Sequence, residues 1–351
     1  MANIILILCF PFLLASQIAV AGIAPIPEEQ RCKVLGDNAN DGPMAMDMFS
    51  GWVAENLVAV ESGGGDWLER DVNEWNKPTC VLDDGRPRLA ALIPGYQMAF
   101  HSEKDWSKSL YRVNLLKEKY PNTAFSALAE VEYWIAYAWN VRGSGYASSV
   151  TPDAWRLFRE RMEKAEQILI NTKPYSAELP NWYGQMIIVQ SALDRPLSER
   201  ENVFLEGAKR YKTFLPIYFT MLNFMLPKWG GSWEVVDDFI KRSVEYTKKT
   251  EGNSMYARLY WAVFSGSGHS ANFYTETPAS WPKMKKGFED LMVRYPKSSW
   301  NLNNFAKFAC LAKDKKTFLL LRRQIDDRII QAAWPQNISV DVCDHRFGYA
   351  K

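Results

Sequence analysis

Histidine is nearly missing from this chain, with only His101, His269 and His345 among 351 residues, and no two of its five cysteines stand close together. Zinc sites draw their nitrogen and sulfur ligands from short, regular spacings, so this scatter argues against a metal centre. No glycine-rich loop carries the lysine of a phosphate cradle, no Gly-x-Ser-x-Gly elbow is present, and strand-like alternation is almost absent after residue 100. Those gaps argue against phosphate-loop and serine-hydrolase chemistry and against a sheet-based core. A charge excess of one sign is also lacking, since 42 Lys and Arg meet 40 Asp and Glu. General nucleic-acid binding is therefore not expected, and nothing in the sequence calls for a cofactor.

What is abundant is apolar and aromatic surface, at 47% and 14% of residues, enough for a large core. Charge is balanced overall but uneven along the chain. Residues 22–100 hold 6 Lys/Arg against 13 Asp/Glu, residues 101–240 hold 17 against 17, and residues 241–351 hold 19 against 10. The ends are thus opposite in sign. Solvated surfaces explain this, and so does a basic C-terminal face that meets an anionic partner.

Residues 4–24 carry no charge and end near the small-residue site Ala19-Val20-Ala21. This reads as a secretory signal over residues 1–21, with cleavage after Ala21. The alternative is an uncleaved N-terminal membrane anchor, because the run is nearly long enough to span a bilayer. No later stretch is apolar enough to cross one. Removing the signal takes Cys9 with it and leaves Cys32, Cys80, Cys310 and Cys343. Three pairings are open, of which the short loops favour Cys32 with Cys80 and Cys310 with Cys343. Cys310 also reads as a free thiol in an apolar helical stripe. Export, into a periplasm or outside the cell, is the expected destination.

Helix, break, helix is the grammar beyond residue 100. Thr151-Pro152 reads as an N-cap with proline at the first helical position, and Thr277-Pro278 reads the same way. Two Tyr-Pro breaks, at Tyr120-Pro121 and Tyr295-Pro296, each end one helix before a hydroxyl residue caps the next. Apolar stripes predict helices over about 104–118, 124–141, 180–193, 199–210, 213–226, 233–248, 254–264, 300–312 and 315–332. An aromatic helix end, a Gly-Ser-Gly loop and a Thr-Pro-x-x-Trp start occur twice, around Gly143-Ser144-Gly145 and Gly266-Ser267-Gly268. That suggests a duplicated helical unit with both loops on one side. Residues 22–100 are less regular, with helical pieces near 44–61 and 89–100. They are expected to cap the array over residues 101–351.

The expected fold is all-α, an α-solenoid of antiparallel helix pairs with a less regular N-terminal cap. These features resemble tetratricopeptide-like helical repeats over about residues 100–340. They resemble in particular exported bacterial proteins of unknown function that carry a Leu-Pro-Lys-Trp-Gly-Gly-Ser turn, here residues 226–232. The Trp-x-x-Leu-Gly-x-x-Tyr opening of tetratricopeptide repeats is missing. The resemblance implies an interaction or scaffold module with a protein or peptide partner.

Clustered aromatics supply the candidate binding residues. Tyr133, Trp134, Tyr137 and Trp139 crowd one helix with Glu130 and Glu132, and Tyr256, Tyr260 and Trp261 crowd another with Arg258. Glu130, Trp134, Tyr146, Arg258, Trp261 and His269 are therefore the candidates for a glycan or small ligand, although the same aromatics serve equally as core. A helical glycan hydrolase or lyase would set Glu130 or Glu132 against Asp237 or Asp238 across a cleft. A convergent pocket of carboxylates would mark that enzyme, and exposed aromatics on a concave surface would mark the binder.

Overall fold

The computed structural model describes Cys32 and residues 40–266, 268 and 270–349. The expected signal over residues 1–21 and the candidate His269 lie outside the described residues. Among the described residues there is no strand, only one isolated bridge between Val81 and Pro87. The chain is all-α. Among the described residues sixteen α-helices follow in order, beginning with α1 (Gly42–Ala59), α2 (Asp66–Trp75), α3 (Leu92–Ser102), α4 (Trp106–Lys119) and α5 (Ala124–Arg142). Next come α6 (Pro152–Ser176), α7 (Asn181–Ala192), α8 (Leu197–Arg210), α9 (Leu215–Met225), α10 (Trp233–Glu251) and α11 (Ser254–Gly266). The last are α12 (Phe273–Glu276), α13 (Trp281–Arg294), α14 (Ser299–Leu311), α15 (Lys315–Ile325) and α16 (Val340–Phe347).

From α4 to α11 each helix packs on the next, and α3, α5, α7, α9 and α11 also pack on their next-but-one neighbour. This makes an inner row, extended to α14 by ring contacts of Phe264 with Phe308 and Trp261 with Trp300. Outside it lie α4, α6, α8, α10, α13 and α15. Outer helices bury one stripe, as α6 does with Phe158, Met162, Ala165 and Leu169. Inner helices are covered nearly all round, and residues 301–311 of α14 are buried without exception. A helix apolar on one face needs one neighbour, whereas one buried on all sides needs several.

Three outer helices end alike. Tyr120, Tyr211 and Tyr295 cap α4, α8 and α13 with φ/ψ of −128/69°, −127/61° and −126/63°. Their hydroxyls reach back to Asp66, to the carbonyls of Ala177 and Glu178, and to Glu251. The sequence displayed two of these breaks, and Tyr211 escaped notice because Lys212 follows it in place of proline.

Two helix boundaries differ from expectation. Helix α13 starts at Trp281 after Ser280 and not at Pro278, while the Thr277 hydroxyl donates to the Phe273 carbonyl at the start of α12 and accepts from the Ala279 amide at 3.3 Å. Helix α15 stops at Ile325, where Asp326 takes a φ of 52° that an L-residue cannot continue as helix. Ile329 is consequently half-buried outside the helix. Helices α2 and α16 carried no recognised signal.

The disulfides join Cys32 to Cys80 and Cys310 to Cys343, so Cys310 is not a free thiol. The segment between α2 and α3 meets helices from the middle and end of the chain. Asp84 presents its carbonyl to Arg258 Nη2 at 2.6 Å and to Asn301 Nδ2 at 3.2 Å. Leu89 presents its own to Asn181 Nδ2 at 3.4 Å. Ahead of α1, the Asp41 carboxylate accepts from the Ser298 hydroxyl at 2.7 Å and from the Trp300 amide at 2.8 Å.

Candidate functional site

The most polar of the large hollows is a surface cleft of about 410 Å³ where the end of α5, the start of α6, the ends of α7 and α9, and the turn over residues 226–232 meet. Helix α5 stops at Gly143, whose φ of 73° turns the chain away. Arg142 then folds back, donating to the carbonyls of Gly143 at 2.9 Å and Gly145 at 3.0 Å. Its guanidinium carbon lies 5.3 Å from the ring centres of both Trp139 and Trp155. Those two indoles meet Phe158 edge-on, at 5.1 and 5.6 Å.

The opposite wall comes from the turn that the sequence had marked. Leu226 is buried, Pro227 begins a single 3-10 turn, and Trp229 is left 51% exposed. Gly231 is required here, since a Cβ on it would lie 1.8 Å from the Met225 carbonyl oxygen. Trp229 leans on Phe224 with ring centres 6.2 Å apart. Lys228 donates to the Gly266 carbonyl at 3.1 Å. The first Gly-Ser-Gly loop thus borders the cleft and the second is tied to the same turn.

Charge in the cleft is mostly positive. Arg195 is held by Glu166 through a pair of hydrogen bonds of 3.1 and 2.6 Å. Arg200 donates to the Ser191 hydroxyl at 3.4 Å, its buried Nε has no partner, and no carboxylate pairs with it among the described residues. Asp194 is the one acidic residue in the lining. Such an arrangement offers flat apolar faces beside forked donors.

A second hollow opens beside α11. About 210 Å³ is lined by Asp84, Arg86, Phe219, Arg258, Trp261, Ala262, Ser265, Trp300 and Asn301. Arg86 and Phe219 also border a more apolar hollow of about 320 Å³ against Gln185 and Ile188.

The sequence candidates separate. Arg258 and Trp261 share the inner hollow. Glu130 instead pairs with Lys117 at 2.5 Å, Trp134 is packed between Tyr133 and Tyr137, and Tyr146 stands 88% exposed on its loop. Glu132 is fully enclosed between the amides of Gln97 and Gln185, and burial pushes its carboxyl up to about 7. Asp237 accepts from Tyr260 and pairs with Lys241, while Asp238 pairs with Arg242. None of these four carboxylates lines either hollow.

The cleft residues that sequence reasoning passed over are Arg142, Trp155, Arg195, Arg200 and Trp229. Their one local signal was an arginine set between two tryptophans and followed by a glycine. No protein-family model, no curated protein and no solved structure matches this chain.

Proposed function

We propose that the protein is an exported binding protein, not a catalyst, that holds an acidic carbohydrate in the cleft framed by Trp139, Trp155 and Trp229. The observation that carries this reading is the meeting of exposed indoles with an arginine that no carboxylate neutralises. Sugar rings present C–H faces that lie on aromatic planes, and a guanidinium fork takes a carboxylate with two parallel hydrogen bonds. Occupation of the four suspected carboxylates by other partners supports binding over hydrolysis. Export is supported by the two disulfides, which persist in oxidising compartments. Among the described residues no helix is long and apolar enough to cross a membrane. Resemblance to tetratricopeptide-like repeats implies a peptide partner instead. The Asp84 carbonyl, already seated against Arg258 and Asn301 of the inner row, favours the small ligand.

Calorimetry with trigalacturonate and maltotriose tests the proposal. Trigalacturonate binds saturably, the neutral sugar binds about tenfold more weakly or worse, and Trp229→Ala and Arg200→Ala each weaken the acidic sugar by about tenfold. Absence of saturable binding, or binding indifferent to both substitutions, would remove this function.

A further inference from the structure

Among the described residues Tyr146 is the most exposed of the large apolar side chains, and residues 143–149 around it are all exposed. Its ring meets no other ring there, and its hydroxyl has no hydrogen-bond partner. A single exposed ring on a surface is ordinary. This one differs because its backbone is fixed beside the aromatic wall of the cleft. Arg142 Nη1 donates to the Gly145 carbonyl at 3.0 Å, and the same guanidinium lies 5.3 Å from the ring centres of Trp139 and Trp155. Ordinary bond lengths then place Tyr146 Cα no more than about 12 Å from either indole. On the other side, the Tyr146 carbonyl accepts from the Ser149 amide at 2.9 Å and from its hydroxyl at 2.7 Å. The chain is thus held on both sides of that Cα, while the two side-chain torsions stay free. Turned inward, the ring comes within about 8 Å of an indole. That is the separation of two aromatic planes with one sugar ring between them, about 4 Å from each.

We infer that Tyr146 is a further ligand-contacting residue of the surface cleft, folding over a bound sugar to cover the face turned away from Trp139 and Trp155. The inference rests on the carbohydrate reading of that cleft and adds how the ligand is retained. Closing takes a rotamer change of an exposed side chain and no movement of the backbone. Tyrosine suits the task, since it brings a wide contact face with only two torsions to immobilise. The ring meets C–H faces and not carboxylates, so it strengthens acidic and neutral sugars alike and leaves charge discrimination to the arginines. A group that covers a bound ligand acts chiefly on its release.

The test uses the whole chain with trigalacturonate and maltotriose. Tyr146→Ala is expected to weaken trigalacturonate about tenfold, through faster dissociation in stopped flow, while the ratio between the two sugars stays as in the native chain. Tyr146→Phe, which keeps the ring, restores the affinity. With its side chain in solvent, Tyr146 contributes no packing whose loss could produce these changes indirectly. A footprint gives a second readout. Saturating trigalacturonate protects Tyr146 from nitration by tetranitromethane, and Tyr111, 56% exposed on α4, reacts as before. Native binding that Tyr146→Ala leaves intact, a loss that Tyr146→Phe shares in full, or nitration of Tyr146 indifferent to the sugar would each overturn the role of this residue and leave the carbohydrate cleft standing. No saturable binding to the native chain would remove both.

Discussion

Helix α15 buries Phe318, Leu321 and Ile325 and turns Lys315, Lys316, Leu320 and Arg323 to solvent, whereas its neighbour α14 buries asparagine and lysine together with phenylalanine. The two rows use polar residues differently. On the outer row most are solvated, with buried exceptions such as Arg112, Glu251, Asp290 and Arg322. On the inner row several buried polar side chains hold particular partners, such as Asn303 accepting from the Trp334 indole at 3.0 Å and from the Ile330 amide at 3.2 Å. Buried polar groups are costly unless satisfied, so an inner helix with several of them tolerates few alternative arrangements. Outer helices are fixed mainly by hydrophobic area, which is far less particular.

This contrast can be broken by experiment. Phe308 is wholly buried among Phe264, Phe273 and Phe288, so Phe308→Ala should cost about 4 kcal/mol in urea unfolding. Joint replacement of Cys310 and Cys343 by alanine, which frees α14 from α16, should cost about 3.5 kcal/mol if loop entropy dominates a bridge with a sequence separation of 33.

A somewhat smaller effect concerns pH. The native Glu132 carboxyl keeps its proton up to about 7, while the unfolded chain releases it near the ordinary 4.5. Native stability from this group is complete below the unfolded value and falls as pH rises from about 4.5 to 7, by about 3 kcal/mol in all. Glu132→Gln should flatten that fall. Burial among Trp261, Phe264 and Phe308 acts on Lys307 in the other direction, lowering it to about 7, so its contribution improves as pH climbs from there toward 10.5. Lys307→Met should remove that rise, and a pH series of unfolding curves on both variants separates the two. At the outer row, Leu320→Ala, at a position 55% exposed, should stay within about 0.5 kcal/mol. A loss comparable to that of Phe308→Ala would erase the distinction between the rows.

The outer row was the legible one, because a single stripe such as Phe158, Met162, Ala165 and Leu169 announces both the helix and its buried face. The inner helices were recognised as helices, but their polar residues gave no hint of being enclosed. Glu132 looked like a candidate acid until Gln97 and Gln185, distant in sequence, proved to surround it. Arg258 and Trp261 could be grouped because residues three apart share a helix face, although nothing local pointed to Asp84 as the arginine's partner. The surface cleft was hidden for a similar reason. Arg142 and Trp155 flank one loop and Trp229 sits on another, and only packing of α5, α6, α7 and α9 brings them together. Disulfide pairing, by contrast, followed from loop length and was correctly favoured.

The seat of Asp41 and Asp84 against Arg258, Ser298, Trp300 and Asn301 has a meaning in time. A chain made from its N-terminus presents those aspartates long before their partners exist. The segment that carries them is tethered by the bridge between Cys32 and Cys80, 48 residues apart. Helices α4 to α10 can stack one after another in the interval, each on a neighbour just completed. The final act is then a docking across the length of the sequence, and contacts so distant are slow to form. The Asp41 end is therefore fastened by residues near the far end of the chain, and a chain truncated before α14 is expected to lack those contacts.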